Sequence, residues 1–350
     1  MLHVGIIGCG RITELRHAPE YAANPRARIL GFTDNKLPRA QEMADLFGGQ
    51  AYASMEAMLD DKKIDAVSVC VANPFHAEVT IQALRAGKHV LLEKPMAVTL
   101  EECQAIVDEA KKTDRIVMLG HNQRFAKAHV EARRMIREGL IGKPVAFRTT
   151  FGHSGPEIWT MNPDSWFIHR DRAGLGVIGD LGIHKTDLIH FLLDDPIVEV
   201  SAQVGTLDKR YPDGLPIDLE DNATCLYRTR GGVMGTQFVS WTFYAAEDNS
   251  TRIYGTQGTL KLYDDPKYSL IFIPKGGEPQ YLELDELTSN EDQNAGKAAN
   301  TGVIDAFVES AITGVHPVID AQEAIKAMRV IFAAVESAKT GRTIQVKQTD

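Results

Sequence analysis

Val4-Gly5-Ile6-Ile7-Gly8-Cys9-Gly10-Arg11-Ile12-Thr13 is the stretch that decides the fold. An apolar strand ends on Gly8, a Gly-x-Gly turn follows, and a helical pattern begins at Ile12. Gly8 permits the tight turn, and Gly10 lets backbone approach a pyrophosphate held at the following helix N-terminus. Gly8, Gly10, Arg11 and Ile12 are therefore the loop's candidate cofactor-binding residues. Thr13 departs from the pattern, which has Gly or Ala at that third small position. A second strand ends on Asp34, about 20 residues on, where a ribose-binding acid is expected. Such an acid accepts from both ribose hydroxyls and repels a 2′-phosphate, which favours NAD. Lys36, Arg39 and Arg11 lie close enough in sequence to neutralise a phosphate, so NADP stays as the alternative.

Outward from this loop, short apolar runs alternate with longer amphipathic ones. Strands are expected over 4–8, 28–34, 66–71, 90–93 and 116–120, with a weaker one near 51–52. Helices are expected over 12–23, 37–47, 75–86 and 100–111. That alternation predicts a Rossmann-type, doubly wound parallel sheet over residues 1–122. After His121 the texture changes. A helix over 126–138 precedes strands over 144–151, 198–206, 223–228, 232–244, 251–254, 259–263 and 269–273. Helices over 303–313 and 321–339 and a last strand over 343–346 complete the chain. Residues 123–350 thus read as an α/β domain with a large, mainly antiparallel sheet, one face of it on helices and the other open to a partner subunit. The polar stretch 289–300 reads as a flexible surface loop.

Two further stretches carry chemistry. His89-Val90-Leu91-Leu92-Glu93-Lys94-Pro95 is a buried-type strand ending in an acid, an ammonium and a proline. In parallel sheets ligands bind outside the carboxyl ends of the strands, so Lys94 is placed to act on one. Asn73-Pro74-Phe75-His76 follows the preceding strand, so Asn73 and His76 are candidates for the same crevice; a helix cap with a surface histidine is the plainer reading. Gly174-Leu175-Gly176-Val177-Ile178-Gly179-Asp180-Leu181-Gly182-Ile183-His184 is a glycine-rich turn feeding a helix. Asp180 and His184, four apart, share one side of it. The acid can orient the imidazole and leave its other nitrogen for proton transfer. Asp187 and His190 match no metal-ligand spacing and read as ordinary polar groups of that helix; no metal is expected.

The 350 residues carry a net charge of −9, with 44% hydrophobic and 24% charged residues. That balance argues against nucleic acid, whose phosphates need a basic face. No apolar run reaches the roughly 18–20 residues of a membrane span, so no membrane partner is expected. The first strand begins at once, which leaves no room for a secretory signal. Cys9, Cys70, Cys103 and Cys225 are scattered without CxxC spacing, which fits a reducing cytoplasm.

Taken in order, these motifs resemble the Gfo/Idh/MocA oxidoreductases. The resemblance includes His121-Asn122-Gln123-Arg124-Phe125 and Tyr254-Gly255-Thr256-Gln257-Gly258-Thr259-Leu260, and runs almost end to end. It implies an NAD(P)-dependent dehydrogenase that oxidises a secondary hydroxyl of a polyol, inositol or sugar by hydride transfer, or reduces the matching ketone. It implies Lys94, Asp180 and His184 as the catalytic trio, with a cis bond in the Lys94–Pro95 region. Glu93, Lys94, Gln123 and Arg124 join the cofactor-binding set. Lys94, Arg124, Trp166, Asp180 and His184 form the substrate-binding set, and Trp159, His153, His169 and Arg170 are further substrate-side candidates. It also implies a homodimer or homotetramer through the C-terminal sheet. Two other readings remain open: an NAD-dependent glycoside hydrolase or lyase using transient oxidation, and a non-catalytic dinucleotide-binding sensor.

Overall fold

The computed structural model describes residues 1–287 and 300–348. The expected loop over 289–300 falls, except for Asn300, outside the described residues. The chain forms two compact units, Met1–Asn122 with Asn290–Ile325, and Gln123–Ser289 with Lys326–Asp350. The sequence placed all of 123–350 in the second domain, because periodicity alone says nothing about which core a late helix joins.

In the first unit, β1 (Leu2–Ile7), β2 (Ala27–Thr33), β3 (Gln50–Ala51), β4 (Ala66–Val69), β5 (His89–Leu92) and β6 (Val117–Leu119) form one sheet. Its order is β3-β2-β1-β4-β5-β6 and every pair is parallel. β4 is buried at every position, as a strand covered on both faces must be. The order reverses beside β1, which opens a crevice at the carboxyl ends of β1 and β4. Helices fill the crossovers. One of them, Met55–Asp60, is too short to show a period in the sequence, and Ser54 caps it by accepting the Ala57 N–H at 3.2 Å. The later helix Val303–Thr313 returns to this unit and buries Val303, Ile304, Phe307 and Val308. Its rim is tied by Asn24 to Asp305 at 2.7 Å and Arg26 to Glu309 at 2.5 Å.

In the second unit, β7 (Pro144–Gly152), β8 (Ile197–Gly205), β9 (Asn222–Thr229), β10 (Met234–Ser240) and β11 (Thr251–Gly255) meet β12 (Gly258–Leu262), β13 (Leu270–Pro274), β14 (Gln280–Leu282) and β15 (Ile344–Gln345). The nine strands run in the order β14-β13-β12-β11-β7-β10-β9-β8-β15. Only β7 and β10 pair in parallel; the other neighbours are antiparallel. β9 shows the layer plainly: Cys225, Tyr227 and Thr229 are buried, whereas Thr224, Leu226 and Arg228 are exposed. Against the buried face lies the helix Ile183–Leu193, which is buried from Ile183 to Leu192. Thr186 anchors it by donating to Gln237 of β10 at 3.2 Å.

Candidate functional site

The phosphate loop is built by strand ends. Gly8 has φ +94°, and a Cβ there would stand 2.5 Å from the Cys70 carbonyl oxygen. Only glycine fits both demands. Gly10 is different: a Cβ there would meet nothing within 4 Å. No packing requirement explains that glycine, whereas close approach of a diphosphate does, so the loop fits the cofactor its sequence implies. Thr13, the departure from the motif, is fully buried and donates its hydroxyl to the Gly8 carbonyl at 2.6 Å. It therefore closes the turn that a smaller residue would leave open. Arg11 and Ile12 begin the helix behind the loop. Asp34 holds the loop from β2, accepting the N–H of Cys9 at 2.8 Å and that of Lys36 at 2.8 Å. Arg39 folds over the same turn and donates to the Cys9 carbonyl at 3.0 Å.

β5 delivers Glu93 and Lys94 to the same edge of the sheet, and the Lys94–Pro95 bond is cis. Glu93 is not a free acid. Its Oε1 lies 2.8 Å from His17 Nε2, and its Oε2 accepts the Lys94 N–H at 3.2 Å. Burial alone would raise the Glu93 pKa, but the bond to and charge of His17, with Lys94 and Arg16, pull it down to about 2. His76 is buried, with Nδ1 2.7 Å from the Pro95 carbonyl and Nε2 3.0 Å from the Val71 carbonyl. Burial lowers its pKa, against the two carbonyls that face its nitrogens. The expected surface or crevice histidine is thus a clamp between the β4 loop and Pro95. Asn73 is buried in the turn Asn73–Phe75 beside it.

In the second unit, the glycine-rich turn leads into a π-helical segment, Ile178–Gly182, which continues directly as Ile183–Leu193. Such segments are frequent at functional sites. Gly176 leaves room for the Glu220 carbonyl, which a Cβ would approach to 2.4 Å. Asp180 and His184 are both buried. Asp180 Oδ2 accepts the indole N–H of Trp241 at 3.0 Å. The His184 ring meets Phe151 edge-on at 5.8 Å, and Phe151 meets His153 at 6.0 Å. Trp241 and Phe151 were missed in the sequence; each sits at a strand end, and nothing local marks its partner.

Several expectations change here. Arg124, read as a cofactor and substrate group, is committed to Asp187 by two bonds, Nε to Oδ2 at 2.7 Å and Nη2 to Oδ1 at 2.6 Å. The two side chains are 2% and 1% exposed, and both residues belong to this unit. Asp187 and His190 are accordingly not ordinary polar groups of a half-wet helix. His190 is buried too, and its Nε2 accepts the Ile197 N–H at 3.0 Å. Gln123 donates to Asn249 Oδ1 at 3.0 Å. Trp166 stacks on Phe167 at 3.9 Å, with Trp159 edge-on to the same ring at 5.5 Å. His169 pairs with Asp164 at 2.6 Å, and Arg170 donates to the Asp218 carbonyl.

Two buried lysines of the second unit had no sequence signal. Lys185 donates to the Asn249 carbonyl at 2.8 Å and lies 5.8 Å from the Phe151 ring centre. Burial brings its pKa down to about 7. Lys209 pairs with Glu157 and donates to the Ser154 carbonyl at 2.6 Å. Asp221 fixes its backbone by accepting the N–H groups of Leu207, Asp208 and Lys209, each at 2.8 Å. Among the described residues no group of three or more metal-ligand side chains occurs, and no helix is long and apolar enough to cross a membrane.

Comparison with known proteins bears on both units. Residues 2–121 match a family described as an oxidoreductase family with an NAD-binding Rossmann fold, and residues 129–261 match the GFO/IDH/MocA C-terminal domain. The chain is 30% identical over 306 residues to 1,5-anhydro-D-fructose reductase of Ensifer adhaerens, covering 85% of each chain. It is 24% identical to myo-inositol 2-dehydrogenase of Thermotoga maritima, covering 99% of each. Among solved structures, levoglucosan dehydrogenase in complex with NADH is similar with a TM-score of 0.86 and 25% identity, over 99% of this chain and 100% of that one.

Proposed function

Because the chain belongs to the Gfo/Idh/MocA oxidoreductase family, we propose that Lys94, Asp180 and His184 act together on one secondary hydroxyl of a sugar or polyol. The protein is an NAD(P)-dependent oxidoreductase acting on CH–OH groups of that substrate class. Gly8, Gly10, Arg11, Ile12 and Asp34 hold the dinucleotide, with Asn73, His76, Glu93 and Gln123 shaping the strand-end crevice. When bound, the nicotinamide supplies the two-electron acceptor. His184 takes the hydroxyl proton, and Asp180, itself held by Trp241, orients the imidazole. Lys94 donates to the same oxygen as negative charge develops on it. Trp159 and Trp166 offer aromatic faces to the apolar side of a sugar ring.

The observation that carries this reading is Lys94 itself: it leaves β5 at the ligand edge of the sheet, on a backbone pinned by Glu93. Asp34 favours NAD over NADP. The open sheet face carries Leu226 and Met234, 57% and 56% exposed on neighbouring strands, and supports assembly through a second copy of that face. All four cysteines are buried free thiols, in keeping with a cytoplasmic enzyme. The test is a panel of sugars, inositols and other polyols assayed for reduced nicotinamide with NAD and with NADP. Turnover of at least one member, faster with NAD, is expected. Failure of the whole panel with both cofactors would remove the assignment.

A further inference from the structure

We propose that the part-buried His17–Glu93 ion pair is a positioning device for Lys94, which neutralises the acid beside the ammonium while that acid fixes the lysine's backbone. The inference rests on the reading of Lys94 as a catalytic group. Its geometry lies wholly within the first unit. His17 comes from the helix behind the phosphate loop, at its π-helical segment Thr13–His17. Its side chain is 4% exposed and that of Glu93 16%, with Nε2 and Oε1 2.8 Å apart. The second carboxylate oxygen receives the Lys94 N–H.

A carboxylate at that point has two consequences. As a hydrogen-bond acceptor it sets where Lys94 leaves the strand. As an anion it also competes with the substrate oxygen for the ammonium, whose charge it feels. His17 separates the two effects by cancelling the charge and leaving the acceptor in place. Charged and titratable groups act on the pair from several elements. Arg16 and Glu20 share the His17 helix, Cys70 follows β4, and His76 and Lys94 also lie close enough to act. Burial would make His17 neutral, but Cys70 and Glu93 raise its pKa well above the usual imidazole value. Burial lowers the His76 pKa, and Glu20, raised by burial and bonded to Thr301 at 3.0 Å, is an acid, so neither replaces the His17 charge.

The experiment compares His17→Gln, Glu93→Gln and the double variant. Each is measured as the alkaline limb of the pH profile of kcat, the affinity for NADH by fluorescence, and the melting temperature. His17→Gln leaves an uncompensated acid beside Lys94, so the limb moves up by about one pH unit and kcat falls about tenfold, with NADH affinity retained. In the double variant no net charge remains, and the limb returns to its wild-type position. In Glu93→Gln the histidine loses its counter-ion and becomes neutral, so that limb also stays in place. A packing role alone would lower the melting temperature without moving the limb. Nitrogen-15 histidine spectra give a readout independent of activity: a resonance assigned to His17 stays that of an imidazolium at neutral pH and loses that character in Glu93→Gln. An unmoved limb in His17→Gln, or a neutral His17 in the wild type, overturns the inference. If Lys94→Ala retains full turnover, the reading of Lys94 falls instead, which is a distinguishable outcome.

Discussion

The two units solve the same problem, placing polar groups away from water, by different means. In the first, backbone does most of the work. Gly8 turns at φ +94°, Asp34 accepts two loop N–H groups, and Lys94 is presented by the end of a buried strand. In the second, side chains from distant segments pair inside the core. Arg124 meets Asp187, Trp241 meets Asp180 and Lys185 meets the Asn249 carbonyl. A site made from strand ends depends on local residue types. A site made from long-range pairs depends on geometry that no local pattern carries.

The largest expected effect breaks this contrast most directly. Arg124→Met leaves Asp187 as a buried unpaired charge and should destabilise the second unit by about 3–5 kcal/mol. Denaturant melts would show it, and the double variant Arg124→Met/Asp187→Leu should recover most of the loss. A single variant that melts normally but binds substrate poorly would return Arg124 to the ligand set. Gly10→Ala is the opposite case. The added methyl has open space in the protein, so the melting temperature should hold, while NAD affinity should fall roughly tenfold, about 1.4 kcal/mol. Loss of folding with unchanged affinity would contradict the loop assignment. Asp34→Ala should raise the KM for NAD more than that for NADP. Because Asp34 also holds the loop, both will rise, and the ratio of the two is the measurement that decides.

The smallest effect concerns Lys185. Its folded pKa of about 7 lies below the unfolded value of about 10.4. Between those values the unfolded chain binds the extra proton, so this lysine makes stability rise with pH across that window. Below about pH 7 its full penalty applies. Between about pH 7 and about pH 8.5, Lys185→Met should flatten the rise by about 1–2 kcal/mol, read as the difference between the two stability curves. Identical slopes would mean that the lysine is charged in the folded state.

This contrast also explains what could be read beforehand. The parallel sheet and its ligand edge followed from alternating runs and two glycines, because a strand buried on both faces leaves a continuous apolar run; the strand order did not. Asp180 and His184 were singled out by their spacing of four, and their joint role is a proposal. Their surroundings were not so marked. The helix Ile183–Leu193 is buried on every side, yet its Asp187 and His190 look in sequence like a solvent face. Arg124 stands 63 residues from its partner, and a guanidinium there looks the same whether it meets a ligand or an aspartate. His17 was overlooked for a related reason: its partner lies 76 residues away, at the end of β5.

The central proposal is that Lys94 and His184 act on one oxygen of one substrate. It is tested most directly by measuring kcat and NADH affinity for Lys94→Ala, His184→Ala and their double variant on a substrate the wild type turns over. Each single variant should lower kcat by about 10² to 10⁴ with NADH affinity retained, and the double should lose much less than the product of the two. Near-normal turnover in either single variant, or losses that simply multiply, would contradict it.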